Sequence, residues 1–86
     1  MALHRVTIKP SAERELRKLD RAVVPRIINA VQYLADQPRP LGCRKLSEAD
    51  SKYRIRIGNY RVVYAINDQD RIVDVLYIRH RKDAYT

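Results

Sequence analysis

The chain has 86 residues, enough for one small domain with a single modest core, which we expect to span residues 1–86. Lys and Arg total 18 against 10 Asp and Glu, so the net charge is +8 and the expected partners are anionic: nucleic acid, an acidic protein or an anionic membrane surface. The lone cysteine excludes an internal disulfide, and the sequence has no zinc-like Cys/His cluster, membrane-length apolar run or signal-peptide core, so we expect a cytoplasmic protein without metal or cofactor.

The N-terminal part of the chain predicts one strand followed by two helices. Residues 3–8 alternate loosely between apolar and polar types, which indicates a strand. Pro10 opens the first helix, whose apolar residues share one side. The second helix, over residues 24–35, has an apolar stripe at i, i+3, i+4 and i+7 spacing, with Pro25 in the first turn, where proline is tolerated. We expect the two helices to form a hairpin that covers one face of a sheet.

The segment 41–52 has no sustained periodicity and is predicted to be a loop, with Leu46 as its anchor in the core. Cys43 is interpreted as a small core-filling residue rather than a nucleophile, because nothing nearby in sequence would activate its thiol. Three cationic residues of this segment add positive charge beside the hairpin that follows: Arg44, Lys45 and Lys52.

The most informative stretch is residues 53–64, in which two β-prone runs flank the dipeptide Gly58-Asn59. Glycine suits the first central position of a type II′ turn, where φ is positive, so the stretch predicts an antiparallel hairpin. Closing the turn on this dipeptide places Arg56 opposite Arg61.

In this register one side of the hairpin is apolar, and the other side, called here the arginine face, carries Arg54, Arg56 and Arg61. Like charges directly opposite each other in a sheet are destabilising by roughly 0.2–1 kcal/mol. Folding therefore does not require the arrangement. Two interpretations stay open: a solvated outer face of a basic chain, or a preformed phosphate-binding surface, since arginine forks match phosphate oxygens.

A last strand is predicted over residues 72–78, after a turn at 67–70. Its nearly continuous apolar character indicates a well-buried position in the sheet. Regular alternation would place Val73, Val75 and Tyr77 on the core side. The same alternation would place Asp74, Leu76 and Ile78 on the arginine face. There Asp74 either screens or orients one of the arginines or, as we expect, forms a plain surface pair.

The C-terminal tail is rich in residues that suit RNA. If strand alternation continues, His80 shares the arginine face, and Arg81 and Tyr85 follow close to it. Arginine charges can stabilise the extra negative charge of a pentacovalent phosphate, and a tyrosine can stack on a base. Because the RNA 2′-OH is an internal nucleophile, cleavage needs no metal. The alternative is a frayed basic terminus.

Four segments, residues 10–19, 41–46, 53–64 and 80–85, resemble the RelE/ParE toxin superfamily, and the resemblance covers nearly the whole chain. It implies a microbial-RNase-like α+β fold, with two helices packed on a four-stranded, mainly antiparallel sheet. It also implies a type II toxin, monomeric when free, that is neutralised by a small acidic RelB-like antitoxin. RelE-like members cut mRNA in the ribosomal A site and leave a 2′,3′-cyclic phosphate and a 5′-hydroxyl.

The resemblance also assigns roles by position. Arg54 and Arg56 occupy the family's two basic positions before the turn, and Arg61 matches its phosphate-binding arginine. Arg81 matches its C-terminal catalytic arginine and Tyr85 its terminal tyrosine. The expected RNA-binding residues are then Arg44, Lys45, Lys52 and Arg54, and the expected catalytic residues are Arg56, Arg61, His80, Arg81 and Tyr85.

One departure from the family bears on the chemistry. RelE itself is similar but has lysines where Arg54 and Arg56 stand, and one of those lysines is held to act as general base. Arginine, with a pKa above ~12, is a poor base at neutral pH. Either Arg56 acts only electrostatically and His80 carries the proton, or cleavage is weak or absent.

Three functions remain open from the sequence. The first is a ribosome-dependent mRNA endonuclease that inhibits translation. The second is a ParE-like toxin that inhibits DNA gyrase without nuclease activity. The third is a non-catalytic module that binds RNA or the ribosome.

Overall fold

The computed structural model describes residues 3–47 and 51–80. Its elements, in chain order, are β1 (Arg5–Ile8), α1 (Pro10–Arg17), α2 (Val24–Tyr33), β2 (Arg44–Ser47), β3 (Lys52–Ile57), β4 (Tyr60–Asn67) and β5 (Ile72–His80). The predicted architecture of two helices and a mainly antiparallel sheet is confirmed. Within the part of the chain that the structure describes, neither helix is long and apolar enough to cross a membrane.

The five strands form one sheet in the order β1-β5-β4-β3-β2. β1 runs parallel to β5, and the other neighbouring strands are antiparallel. Both helices pack on the same face of the sheet, since Ala12 of α1 and Ile27 and Val31 of α2 join the core-facing strand residues in one hydrophobic cluster. The opposite face is the arginine face, with Arg54, Arg56 and Arg61.

The strand count differs from the predicted four because part of the expected loop forms β2. β2 is a four-residue edge strand that pairs with β3 across an irregularity between Lys45 and Ser47, so it is too short for periodicity to reveal it. Leu46 does not anchor this segment in the core, because 46% of its surface is exposed. Cys43 is half-buried and packs against the core, as a filling residue would.

The β3–β4 hairpin has the predicted register. Arg56 lies opposite Arg61, and the core-side pairing of Tyr53 with Tyr64 closes the other end. Gly58 has a φ of +58°, the left-handed value that the first central position of the turn requires. A glycine-containing turn thereby fixes which side chains share a face, because a one-residue slip would reverse every one of them.

The predicted faces of β5 are correct up to Val75 and wrong after it. Val75 pairs with Tyr64, but the next pair joins Tyr77 to Val63, so Leu76 is an extra residue in a β-bulge. Beyond the bulge the alternation is reversed. Ile78, expected on the arginine face, is buried in the core, and Tyr77 takes the arginine face instead.

The bulge occurs where β5 loses its neighbour β1. β1 ends at Ile8 and the chain turns into α1, so no strand of the described residues lies beside the outer edge of β5 beyond Val75. Side chains of α1 bond this edge in place of a strand. The Ser11 hydroxyl donates to the carbonyl oxygen of Leu76 at 3.2 Å, and the Glu15 carboxylate accepts the backbone N–H of Ile78 at 3.2 Å.

At the other end of the sheet, the chain after α2 is held by polar bonds to the tyrosines of the core. The fully buried Tyr64 donates its hydroxyl to the carbonyl oxygen of Pro38 at 2.7 Å. Burial raises the pKa of this phenol above its ordinary value. The Arg39 guanidinium donates to the Tyr53 hydroxyl and binds both oxygens of Asp68, at 3.3 and 2.7 Å, which lowers the pKa of the Asp68 carboxyl.

Candidate nucleic-acid interface

Three arginines from three adjacent strands form one row on the arginine face. Arg56 of β3 lies opposite Arg61 of β4, and Arg61 lies opposite Arg79 of β5. Directly paired residues of neighbouring strands project to the same side of a sheet, with strands ~4.8 Å apart. The three positions therefore span about 10 Å across the sheet, and we call them the guanidinium row.

The members of the guanidinium row differ in exposure. Arg61, in the middle, is only 7% exposed, whereas Arg56 and Arg79 on its flanks are exposed. Charged residues are rarely buried in this way, because desolvation of an ion is costly. The row thus combines one desolvated guanidinium with two accessible ones, an arrangement that suits a ligand carrying negative charge across all three.

Arg79 is held in place from two sides. Its Nε donates to Glu15 at 3.4 Å, and its guanidinium lies over the ring of Tyr77, 4.3 Å from the ring centroid. Glu15 also bonds the backbone at Ile78, so one carboxylate fixes both the strand and the arginine that follows. This positions a side chain that sequence reasoning did not select.

Most of the other predicted RNA-binding residues lie on the arginine face. Arg54 is two residues from Arg56 in β3 and shares its side, and Arg44 pairs directly with Arg54. Lys52, two residues before Arg54, belongs to the same side. These three residues extend positive charge from the guanidinium row along β3 and its neighbour β2.

Lys45 lies on the helix side of the sheet instead. It pairs with Tyr53, and its ammonium group is 5.9 Å from the centroid of that ring. Since Tyr53 belongs to the core cluster, Lys45 points away from the arginine face. Arg44 and Lys45 project to opposite sides because they are successive residues of a strand, and the role of Lys45 in RNA binding stays a prediction.

The prediction that His80 shares the arginine face is also wrong. His80 pairs with Tyr60, and the two rings meet edge-on with centroids 5.3 Å apart. Tyr60 packs against the core on the helix side. The extra residue at Leu76 causes the change, because it reverses the alternation on which the prediction rested.

Arg81 and Tyr85 lie outside the described residues, so their predicted roles stay predictions.

Asp74 makes the expected surface pair, with the Thr7 hydroxyl at 2.9 Å and the Lys9 ammonium at 3.3 Å. Within residues 3–47 and 51–80, no three His, Cys, Asp or Glu side chains come together as a metal site would require.

The residue that sequence reasoning missed is Arg79. Its signal was present but ambiguous, because the run Val75 to Ile78 has four consecutive nonpolar or aromatic residues, which regular alternation in a half-buried strand does not produce. Such a run permits a bulge without fixing its position.

The sheet as folded defines a class: small basic α+β proteins that present a guanidinium row on the face away from their helices.

Comparison with known proteins identifies the family. Residues 6–85 match the family described as the ParE toxin of the type II toxin–antitoxin system parDE. The chain is 30% identical over 83 residues to the toxin RelE of Mycobacterium tuberculosis, an alignment that covers 95% of this chain and 86% of that protein. The putative toxin RelE1 of Methanocaldococcus jannaschii is 29% identical over 83 residues, with 93% and 92% covered.

Solved structures agree with the sequence matches. The archaeal RelE–RelB complex from Pyrococcus horikoshii superposes with a TM-score of 0.83 at 30% identity, covering 92% of this chain and 96% of that one. The intact Escherichia coli RelBE toxin–antitoxin complex superposes with a TM-score of 0.77 at 24% identity, covering 90% and 95%, which shows a shared fold. The chain belongs to the RelE/ParE superfamily and is a RelE-like toxin of a type II toxin–antitoxin system.

Proposed function

We propose that this toxin is a metal-independent, ribosome-dependent mRNA endonuclease that inhibits translation. The observation that carries the proposal is the guanidinium row Arg56–Arg61–Arg79, in which like charges occupy directly paired positions of three strands and can act together on an anionic phosphate backbone. The RNA 2′-OH would attack the adjacent 3′ phosphate while the bond between phosphorus and the 5′ oxygen breaks; the 2′-OH proton would pass to water and the leaving 5′ oxygen would take a proton from water, giving a 2′,3′-cyclic phosphate and a 5′-hydroxyl. No external nucleophile is required for this reaction.

The row would act electrostatically. Arg61 and Arg56 bind the scissile phosphate and neutralise the charge that develops on it in the pentacovalent transition state. Groups that are already oriented, as Arg61 is by burial between neighbouring strands, stabilise such charge without reorganising during the reaction. Arg44, Lys52 and Arg54 bind the flanking backbone. By the family resemblance, Arg81 adds a further charge and Tyr85 stacks on a base.

His80 receives a different role from the one its residue type suggested. Its imidazole lies on the helix side, edge-on to Tyr60, and so faces away from a phosphate bound to the guanidinium row. We therefore expect His80 to pack the end of β5 rather than to carry the proton of the 2′-OH, so that cleavage rests on charge stabilisation alone and is weak. Cleavage by a folded His80→Ala variant at the wild-type rate supports this role, and loss of cleavage with intact ribosome binding contradicts it.

The test is cleavage of a defined mRNA on programmed ribosomes, read by mapping the new 5′ ends. We expect products with a 5′-hydroxyl, and a loss of at least ~100-fold in rate for Arg61→Ala, the size typical of one lost charge-stabilising group. Arg21→Ala is the matched control, because it removes the same charge from an exposed position between α1 and α2. Equal rates for the two variants would refute the proposal.

A second candidate is a toxin that inhibits DNA gyrase. The match of residues 6–85 to the ParE family favours it, since that branch shares the scaffold. A supercoiling assay separates the two functions. Inhibition of gyrase by a protein that leaves mRNA intact on ribosomes would select the second candidate.

We also propose an acidic RelB-like antitoxin as partner and the cytoplasm as the location. RelE proteins occur in the solved complexes with RelB, and a chain of net charge +8 would associate with an acidic protein quickly and in a salt-dependent way. The free toxin is expected to be a monomer, which its mass in solution tests.

A further inference from the structure

A second feature adjoins the guanidinium row. A cleft of about 320 Å³ lies between α1 and the last residues of β5. α1 contributes Arg14 and Glu15 to its lining, the C-cap of this helix contributes Lys18, and β5 contributes Tyr77 and Arg79. This volume is at the lower end of the range for small-ligand sites, ~300–1,000 Å³, and so admits a group of about nucleotide size.

The cleft is continuous with the guanidinium row because Arg79 belongs to both. A strand of RNA that crosses Arg56, Arg61 and Arg79 in order reaches the cleft next. We propose that the cleft is an RNA subsite, which holds the nucleotide beside the scissile phosphate. The proposal rests on the proposed function and adds to it a second contact that fixes where the mRNA lies.

The charges of the cleft favour an anion. Among the described residues, neither Arg14 nor Lys18 has a carboxylate within salt-bridge distance, and both are exposed. Arg17 of the same helix, which does not line the cleft, is paired with Glu13 at 2.6 Å. Cations separated by four residues lie on one side of a helix, so Arg14 and Lys18 act on the cleft together.

Among the described residues that line the cleft, the one carboxylate is that of Glu15, and it is already engaged. One oxygen of Glu15 accepts the backbone N–H of Ile78 and the other accepts the Nε–H of Arg79. Because its bonds point into the fold, Glu15 offsets the three cations only in part. The local charge of Arg14, Lys18, Arg79 and Glu15 remains positive.

The aromatic wall of the cleft suits a base. Tyr77 is half-buried, and its ring is stacked with the Arg79 guanidinium at 4.3 Å. Bases of single-stranded RNA stack on tyrosine rings and on arginine planes alike, and such stacking tolerates any base. The Ser11 hydroxyl at the same wall is used by the carbonyl of Leu76, so it offers little base-specific readout. The cations of the cleft would therefore bind the phosphate of the nucleotide, and the stacked Tyr77 and Arg79 would bind its base. The cleft would have only a weak preference for the base sequence.

The test compares two double variants of the full-length toxin on programmed ribosomes. Arg14→Ala/Lys18→Ala removes the cations of the cleft, and Arg17→Ala/Arg21→Ala removes the same charge from residues that do not line it. We expect the first to raise the KM for cleavage about tenfold or more with little change in kcat, and the second to change KM by less than about threefold. Thermal melts verify that each variant is folded.

A modified substrate locates the contact. An mRNA with an abasic residue beside the cleaved bond should raise the KM of wild-type toxin about tenfold, the size of one lost stacking contact. It should have little further effect on Tyr77→Leu, because the two changes remove the same interaction. Tyr77→Phe keeps the ring, so the effect of the abasic residue should persist in this variant.

The outcomes separate the subsite from the function. If wild-type toxin does not cut mRNA, the proposed function fails and the subsite fails with it. If wild-type toxin cuts but the two double variants have equal KM values, or the abasic effect persists in Tyr77→Leu, only the subsite is overturned. If Arg14→Ala/Lys18→Ala cleaves normally but resists an acidic antitoxin, the cleft binds protein instead, which also overturns the proposal.

Discussion

The guanidinium row should make the free protein less stable than it would be without one of its charges. Arg56 is exposed and faces Arg61 directly across the β3–β4 hairpin. Replacing it with glutamine removes the charge and keeps most of the side-chain stem that covers the strand. We therefore expect Arg56→Gln to unfold at a higher temperature than wild type while it binds RNA more weakly.

The size of the gain follows from the cross-strand pairing. Like charges directly opposite each other in a sheet cost roughly 0.2–1 kcal/mol. For a domain of this size, 1 kcal/mol shifts Tm by about 4–8 °C, so the expected increase is on the order of 1–8 °C. The Debye length falls from ~10 Å at 0.1 M salt to ~3 Å at 1 M. The repulsion between the two arginines is therefore more strongly screened at high salt, and the gain in Tm should shrink.

The assay is thermal unfolding at 0.05–0.1 M and at about 1 M NaCl, paired with anisotropy of a labelled single-stranded RNA. Arg56→Lys is the control, since it keeps the charge and should show neither the gain in Tm nor its salt dependence. For Arg56→Gln the slope of log affinity against log salt should fall by ~0.7 if one phosphate contact is lost. A lower Tm than wild type at low salt, or a gain that is unchanged at 1 M, would refute charge repulsion as the cause.

Three further predictions concern the bonds that hold the fold. Tyr64→Phe should lower the unfolding free energy by ~1–3 kcal/mol, measured by urea denaturation, because the partly buried carbonyl of Pro38 loses the hydroxyl of the fully buried Tyr64 as its donor. The hydrogen bond from Arg39 lowers the pKa of Asp68, so the contribution of this ion pair to stability is present above the ordinary carboxyl pKa of ~3.9 and is lost as pH falls through the lowered value. When Tm is measured as a function of pH, Asp68→Asn should therefore show a smaller decrease at acidic pH than wild type. Glu15→Ala should cost ~1–2 kcal/mol in the same urea assay, whereas Glu15→Gln, which keeps an acceptor for the β5 backbone, should cost less.

The sequence was sufficient for those parts of the site that local rules determine. The turn at Gly58 sets the register of β3 and β4, so the pairing of Arg56 with Arg61 could be predicted from twelve consecutive residues. The apolar stripe of α2 likewise predicts which side of the helix is buried, even when the sheet against which it packs is not known. In both cases one short segment contains all the information.

The parts that were mispredicted depend on contacts between distant segments. The bulge at Leu76 accompanies bonds from Ser11 and Glu15, residues of α1 that replace a missing strand along the edge of β5. Strand periodicity cannot show that side chains of a helix bond the edge of a strand in this way. The resulting bulge determines which sides of the sheet Arg79 and His80 occupy. β2 was missed for a similar reason, since its four residues are a strand only because β3 lies beside them.

The parallel pairing of β1 with β5 has a consequence for the timing of synthesis. β5 lies between β1 and β4, yet it is the last strand to be made, so its absence leaves the first strand without a neighbour in the sheet. A nascent chain that has not yet released β5 from the ribosome has neither a complete sheet nor Arg79 beside Arg61. On the proposed function, cleavage of mRNA accordingly begins only after β5 has left the ribosome.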